Sequence, residues 1–156
     1  MKNRIRLFCF SILVMAGLSA YSQKYKTAED TGKLNLEYVK VSNDIADLTA
    51  QLATAQEKLV EYQAKSNSAQ ADAQNAANSS SDQASKATNG SVSDAKKANK
   101  RAKKAYNEAK DARSANNDVN DQNDKIAKLS SKLKKKQERL QELTVMRDAI
   151  NAKLPN

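Results

Sequence analysis

The chain contains little of what most enzymes and globular domains are built from. Its 156 residues include no His, no Trp, two Phe, three Gly, one Pro and one Cys. The scarcity of Gly and Pro excludes a sheet protein with many tight turns. An aromatic content of 4% argues against a thick globular core. The interior must therefore come from Leu, Ile, Val, Ala and a few Tyr, which is the composition of paired helices.

The same absences remove most catalytic and metal-binding chemistry. Without His, and with Cys9 as the one thiol, the sequence has no imidazole or thiolate pair for nucleophilic catalysis or metal binding. It also lacks a Gly-rich phosphate loop. Asp44 with Asp47, and Asp121 with Asp124, have carboxylate spacings that suit acid–base or calcium chemistry, but solvated carboxylates are common on helical surfaces. We expect a protein that is not an enzyme and has no cofactor or metal.

The first 22 residues have the layout of a secretory signal. A basic start (residues 2–6) precedes an apolar stretch (residues 7–18) and the small residues Ala20 and Ser22. We expect cleavage after Ser22, with cleavage after Ala20, an uncleaved anchor or a buried helix as alternatives. The apolar stretch is shorter than the about 20 residues of a membrane-spanning helix. The sequence therefore predicts export to the periplasm or cell surface, with no transmembrane segment after cleavage.

Apolar residues recur at alternating steps of three and four in two parts of the chain, as in helices that pair along a heptad seam. The predicted seam residues are Leu34, Tyr38, Val41, Ile45, Leu48, Leu52, Leu59, Tyr62, Ile126, Leu129, Leu133, Leu140, Leu143, Ile150 and Leu154. Lys136 and Arg147 occupy two seam positions of the second run. We expect their stems to snorkel along the seam, and pairing with a carboxylate of the facing helix is the alternative.

The pattern predicts an all-α fold: a long antiparallel helical hairpin, a coiled coil, that follows a cleaved signal peptide. Its parts are a flexible leader (23–33), a first arm (34–86), a turn (87–93) and a second, basic arm (94–154). The turn is indicated by the Asn89-Gly90 pair, and Ser91 with Asp94 resembles a capping box that begins the second helix. One continuous helix is the alternative.

Three further features concern the second arm. An alanine stripe is predicted at Ala95, Ala98, Ala102, Ala105, Ala109 and Ala112. The polar stretch between Val119 and Ile126 predicts a slip in seam phase and a kink. The two Leu-rich runs are offset by about one heptad around the turn, which would leave the last heptad, near Ile150, uncovered. We therefore expect a homo-oligomer in which another subunit covers it.

Charge is divided unequally between the arms. Residues 23–92 hold 7 basic and 9 acidic side chains, whereas residues 93–156 hold 17 basic and 9 acidic ones. The candidate polyanion-binding residues are Lys96, Lys97, Lys100, Arg101, Lys103, Lys104, Lys132, Lys134, Lys135 and Lys136. An acidic protein or an anionic envelope surface is the expected partner. Nucleic acid is not expected, because Tyr106 is the one aromatic side chain among these patches. The alternative is a solvated face compensated by the acidic arm.

These features favour an exported coiled-coil scaffold or spacer of the cell envelope. A first alternative is a holdase-type chaperone for unfolded envelope proteins. The size, the export and the paired arms resemble the periplasmic chaperones that hold outer-membrane proteins between coiled-coil tentacles, although the strands of that family's β body have no counterpart in this sequence. A second alternative is a conditionally helical, disordered protein that binds anionic surfaces.

Overall fold

In a computed structural model, described for residues 24–88 and 90–153, the chain is a helical hairpin. A 3₁₀ turn, Ala28–Asp30, precedes helix α1 (Thr31–Thr88), which is followed by helix α2 (Val92–Asn151). The described residues contain no strand, and the two helices, of 58 and 60 residues, pack against each other. The predicted all-helical hairpin is confirmed, and the alternative of one continuous helix is wrong. The predicted signal peptide and Leu154 lie outside the described residues.

The connection between the helices is shorter than the predicted turn at 87–93. α1 continues to Thr88 and α2 begins at Val92, so the predicted capping box is confirmed at the start of α2. The Ser91 backbone N–H donates to the Asp94 carboxylate at 3.1 Å, and the Ser91 hydroxyl lies 3.0 Å from the same oxygen. Gly90 is needed for space, since a Cβ there would lie 2.7 Å from the carbonyl oxygen of Lys86.

The seam between the helices keeps its heptad phase without interruption. We label the heptad positions a to g, with a and d at the seam. All the predicted seam residues within the described ranges are buried or half-buried. Gln122 is a buried d residue, and its side-chain N–H donates to the carbonyl oxygen of Ala55 at 2.6 Å. The predicted slip in seam phase between Val119 and Ile126 is therefore wrong, because this amide fills the seam position and finds a hydrogen-bond partner there.

The alanine stripe of α2 divides into two columns. Three of its members, Ala98, Ala105 and Ala112, are half-buried at position a of the seam. The other three, Ala95, Ala102 and Ala109, are exposed at position e. Both columns repeat every seven residues, but only one of them faces α1. The prediction that all six line one packed stripe is therefore wrong, and the exposed column belongs to an outer surface.

The hydrophobic core lies at the open end of the hairpin, opposite the turn. It consists of Tyr25, Leu34, Val41, Leu143, Met146 and Ile150, among which Leu34 and Leu143 are fully buried. Towards the turn, the buried residues of α1 are Ser66, Ala76 and Gln83. A fully buried Leu side chain contributes about 1.5–3 kcal/mol, several times the value for a methyl group. Packing free energy is therefore concentrated at the open end.

The segment before α1 is folded onto this core, which differs from the prediction of a flexible leader. Tyr25 is only 6% exposed and packs in the same cluster as Ile150. A capping box between Thr27 and Asp30 orders the chain between Tyr25 and α1. The last described heptad of α2 is therefore covered by the chain's own leader, so an uncovered end no longer argues for an oligomer.

Candidate interaction surfaces

The candidate polyanion-binding residues form two separate groups along α2. Lys96, Lys97, Lys100, Lys103 and Lys104 are exposed near the turn. Lys132, Lys134 and Lys135 are exposed about 30 residues further on, which is about 50 Å at 1.5 Å per residue. The predicted basic surface is thus two patches at different heights of the hairpin.

Two of the predicted residues are engaged within the hairpin. Arg101 occupies a seam position, and its guanidinium contacts the hydroxyl of Ser79 on the facing helix. The Lys136 ammonium donates to the Asp44 carboxylate at 2.6 Å. That contact overturns the expectation that Lys136 snorkels, because a carboxylate lies within reach across the seam. It also lowers the pKa of Asp44 below its ordinary value.

Arg147, the second cation at a seam position, packs against an aromatic ring. Its guanidinium carbon lies 4.6 Å from the centre of the Tyr38 ring on α1, within the range of a cation–π contact. The Arg147 side chain therefore extends along the seam, as predicted, and its guanidinium lies over the ring of Tyr38 on α1. Such a contact is worth about 0.5–1 kcal/mol at an exposed site.

The edge formed by the g positions carries complementary charges on the two helices. Its register is given by the Arg139 guanidinium, which donates to the Glu37 carboxylate from Nε at 2.9 Å and from Nη2 at 2.7 Å. Moving one heptad at a time in opposite directions along the helices gives the further facing pairs Asp44–Lys132, Gln51–Lys125, Lys58–Asp118, Lys65–Asp111 and Asp72–Lys104. Asp44 and Lys132 line one groove of this edge, and Gln51 and Lys125 line the next.

This pattern, which we call the charged edge, changes sign twice over the six facing pairs. On α2 the g positions are basic at Lys97 and Lys104, acidic at Asp111 and Asp118, and basic again at Lys125, Lys132 and Arg139. The facing positions of α1 carry the opposite charge or none. A shift of one heptad in one direction places Lys58 opposite Lys125 and Asp72 opposite Asp111, and a shift in the other direction places Lys65 opposite Lys104. Like charges that face each other across a helix pair are unfavourable. The charged edge therefore specifies one register.

Glu37 is the centre of a polar cluster that ties the leader and both helices together. Besides the two bonds from Arg139, its carboxylate accepts a hydrogen bond from the Tyr25 hydroxyl at 2.6 Å and one from Lys24 at 3.1 Å. Arg139 also donates to Glu142 at 2.7 Å. These bonds lie directly over the hydrophobic core of the open end. We call this cluster the Glu37 clamp.

The electrostatics of the clamp favour the ionised carboxylate. The hydrogen bond from the Tyr25 hydroxyl, followed by those from Arg139 and Lys24, lowers the pKa of Glu37 from 4.5 to about 2. Partial burial acts in the opposite direction and is outweighed. Sequence reasoning missed Glu37 and Tyr25. The available signal was the opposite charge of Glu37 and Arg139 at facing g positions, which becomes visible once a hairpin register is assumed.

The described residues were searched for cavities, metal sites and membrane-spanning helices. The two grooves of the charged edge have volumes of about 480 and 270 Å³ and are open to solvent. Among residues 24–88 and 90–153, no group of three or more Cys, Asp or Glu side chains is placed to hold a metal ion. No helix in this part of the chain is both long and apolar enough to cross a membrane.

Comparison with known proteins adds no functional assignment. No protein-family model matches the sequence, and neither the curated proteins nor the solved structures contain a significant match.

Proposed function

We propose that this chain is an exported coiled-coil scaffold or spacer of the cell envelope, held in the periplasm or at the cell surface. The observation that carries the proposal is the packing of two helices of 58 and 60 residues against each other, with the seam of α1 buried or half-buried from Leu34 to Ala87. At 1.5 Å per residue the hairpin is about 90 Å long. A rod of this kind sets a distance between whatever its two ends contact.

Three features support a rod of defined length. The charged edge specifies one register, the Glu37 clamp closes the open end, and the capping box at Ser91 begins α2 directly after the turn. Gln122 adds a buried hydrogen bond near the middle. Polar groups that are satisfied in only one register specify that register in coiled coils. These contacts favour a spacer over a loosely associated pair of helices.

The holdase alternative gains no support from the paired arms. α1 and α2 pack against each other, and the seam residues of α1 are buried or half-buried from Leu34 to Ala87, so the described residues leave no gap between the arms in which an unfolded client would lie. A chaperone of the tentacle type needs such a space.

A paired deletion tests the spacer proposal. Removing residues 67–73 and 103–109 together takes one facing heptad, including Asp72 and Lys104, out of each helix while the seam and the remaining charge pairs stay in phase. Small-angle scattering should show a rod shorter by about 10 Å with unchanged helicity. Removing residues 67–73 alone is the control, because it shifts the register and should destabilise the hairpin.

Crosslinking in cells tests whether the two ends of the rod contact different envelope components. A photoreactive residue in place of Lys96, near the turn, and one in place of Glu29, near the open end, should between them capture two different envelope components. The shortened rod should lose one of the two captures. Capture of one single component by the two probes together would contradict a spacer, and recovery of the chain in the cytoplasmic fraction with residues 1–22 still attached would contradict export.

The second candidate function is contact with anionic headgroups at the turn end. Lys96, Lys100 and Lys103 project from the outer side of α2, and none of the described acidic groups pairs with them. Vesicles that contain an anionic lipid should bind the chain, and binding should fall steeply with salt. Exchanging these three lysines for Gln should abolish binding, whereas the same exchange at Lys132, Lys134 and Lys135 should reduce it less. Equal binding to zwitterionic vesicles would contradict this function.

A further inference from the structure

The charged side chains of α1 are confined to one side of the helix. All 12 of them lie at positions c, f or g, and none lies at b or e. The b and e positions form a stripe of 17 uncharged residues at steps of three and four. They are Gly32, Asn35, Val39, Ser42, Ala46, Thr49, Ala53, Gln56, Val60, Gln63, Asn67, Gln70, Gln74, Ala77, Ser81, Ala84 and Thr88. All of them except Ser42 are exposed.

α2 extends the same surface across the seam. In an antiparallel pair the e positions face each other on the side opposite the g positions, so the e residues of α2 lie beside this stripe. They are uncharged throughout: Ala95, Ala102, Ala109, Asn116, Asn123, Ser130, Gln137, Thr144 and Asn151. Together the two stripes form what we call the uncharged face, which runs the length of the hairpin opposite the charged edge.

The composition of the uncharged face is unusual for a surface that only meets water. Charged residues make up 29% of the chain, and exposed helix faces normally carry them. Here the exposed positions hold small residues and amides, with Val39 and Val60 56% and 65% exposed. Ala and Ser allow close approach of a second helix, and valine side chains gain free energy when they are covered. The face therefore has the character of a packing surface.

We infer that the uncharged face docks a second copy of this chain, so that two hairpins form a four-helix assembly. A chain with excess positive charge repels its own copies, and this is the side of the described hairpin on which that repulsion is smallest. Val60 lies midway between Gly32 and Thr88, so an axis at Val60 overlaps the stripes of two copies over their full length. A twofold axis there sets α1 antiparallel to its copy and places Val60 next to Val60 of the second copy.

The area of the face matches what a stable dimer needs. A stripe of 57 residues, Gly32–Thr88, is about 85 Å long. A helix-wide contact of about 10 Å gives on the order of 800 Å² per copy, which is the size of a standard specific interface. The contact is isologous, as in most homodimers. The inference is independent of the spacer proposal, because one hairpin and two hairpins side by side span the same distance.

A matched pair of glutamate variants tests the docking. Ala53 and Thr54 are both exposed on α1, but Ala53 lies on the uncharged face at position b, and Thr54 lies about 100° further round the helix at position c, next to the groove at Gln51. Sedimentation of the full chain should show a dimer at micromolar concentration for the wild type and for Thr54→Glu. Ala53→Glu should weaken dimerisation at least tenfold while circular dichroism shows unchanged helicity.

Cysteine crosslinking tests the position of the axis. In a Cys9→Ser background, which removes the one native thiol, oxidised Val60→Cys should form a disulfide-linked dimer, and Glu57→Cys at position f should not. A wild-type chain that stays monomeric at 100 µM would overturn the inference. Dimerisation of Ala53→Glu as tight as that of Thr54→Glu would also overturn it, as would crosslinking of Glu57→Cys in preference to Val60→Cys.

Discussion

Replacing Glu37 by Gln tests whether the clamp at the open end stabilises the hairpin through its charge. The substitution keeps the size of the side chain and one acceptor oxygen, so the packing of Tyr25 over the core should remain. What it removes is the negative charge that accepts hydrogen bonds from the Tyr25 hydroxyl at 2.6 Å and from Arg139 at 2.7 and 2.9 Å.

The magnitude follows from the pKa of Glu37. A carboxyl group whose pKa falls from 4.5 to about 2 on folding stabilises the folded chain by about 3 kcal/mol at neutral pH, at 1.36 kcal/mol per pKa unit. The side chain retains 24% of its solvent exposure, and solvent screening reduces the value. We therefore expect Glu37→Gln to lower the free energy of unfolding by about 1–2 kcal/mol at pH 7.

The pH dependence has a definite sign. Because the pKa of Glu37 is lower in the folded chain than in the unfolded one, its contribution is fully present above about pH 4.5. The contribution is lost as the pH falls from there towards 2, where the folded chain also takes up the proton. The difference in stability between the wild type and Glu37→Gln should therefore shrink over this interval and vanish near pH 2.

Thermal unfolding followed by circular dichroism from pH 2 to pH 7 measures this difference. A loss of 1–2 kcal/mol corresponds to a decrease in Tm of about 3–10 °C at this chain length. Glu57→Gln is the control, because Glu57 is exposed on the same helix and none of the described cations pairs with it. If both variants unfold at the same temperature at pH 7, or if the Glu37→Gln difference persists at pH 2, the reasoning about the clamp is refuted.

Other substitutions address the leader, the middle of the seam and the turn. Tyr25→Phe keeps the ring in the core but removes the hydroxyl, so the pKa of Glu37 should rise towards its ordinary value in an NMR titration of its carboxyl group. Gln122→Ala removes a buried hydrogen bond and should lower the free energy of unfolding in urea by about 1 kcal/mol. Gly90→Ala places a Cβ 2.7 Å from a carbonyl oxygen and should lower the Tm, whereas Gly32→Ala, with nothing within 4 Å, should not.

The coarse fold was predictable because it depends on local signals. Three signals can be recognised in the sequence alone: the steps of three and four from Leu34 to Tyr62, the scarcity of Gly and Pro, and the Ser91–Asp94 box. Together they specify two helices and the point where the chain reverses. These signals do not depend on which residues meet across the seam. That is why the helical hairpin is confirmed while several of its details are not.

The details that failed depend on contacts between distant parts of the chain. Gln122 looked like an interruption because its hydrogen-bond partner, Ala55, lies on the other helix. Lys136 looked unpaired for the same reason, since Asp44 lies opposite it. Burial of Tyr25 in the leader was invisible because a single aromatic residue has no periodicity. In each case the missing information was the register of the hairpin.

The candidate surfaces were predicted less well than the fold. The basic patches were found by composition alone, which does not reveal that the acidic groups of α1 face the lysines of the charged edge. The uncharged face was hidden in the same way, because the exposed residues Ala53 and Thr54 look equivalent until the helix has been given an orientation. Heptad positions assigned around a fixed turn would have separated both surfaces.

The concentration of the core at the open end has a consequence for how the hairpin opens. Leu34 and Leu143 are fully buried together, yet more than 100 residues separate them in sequence, so closing that end costs the loop-closure entropy of a long chain segment. Once it is closed, the alanine-rich turn half has the smaller packing energy. Local unfolding should therefore begin in the turn half, and amide protons there should exchange faster than those of α1 and α2 near the open end, the reverse of a hairpin that frays from its open end.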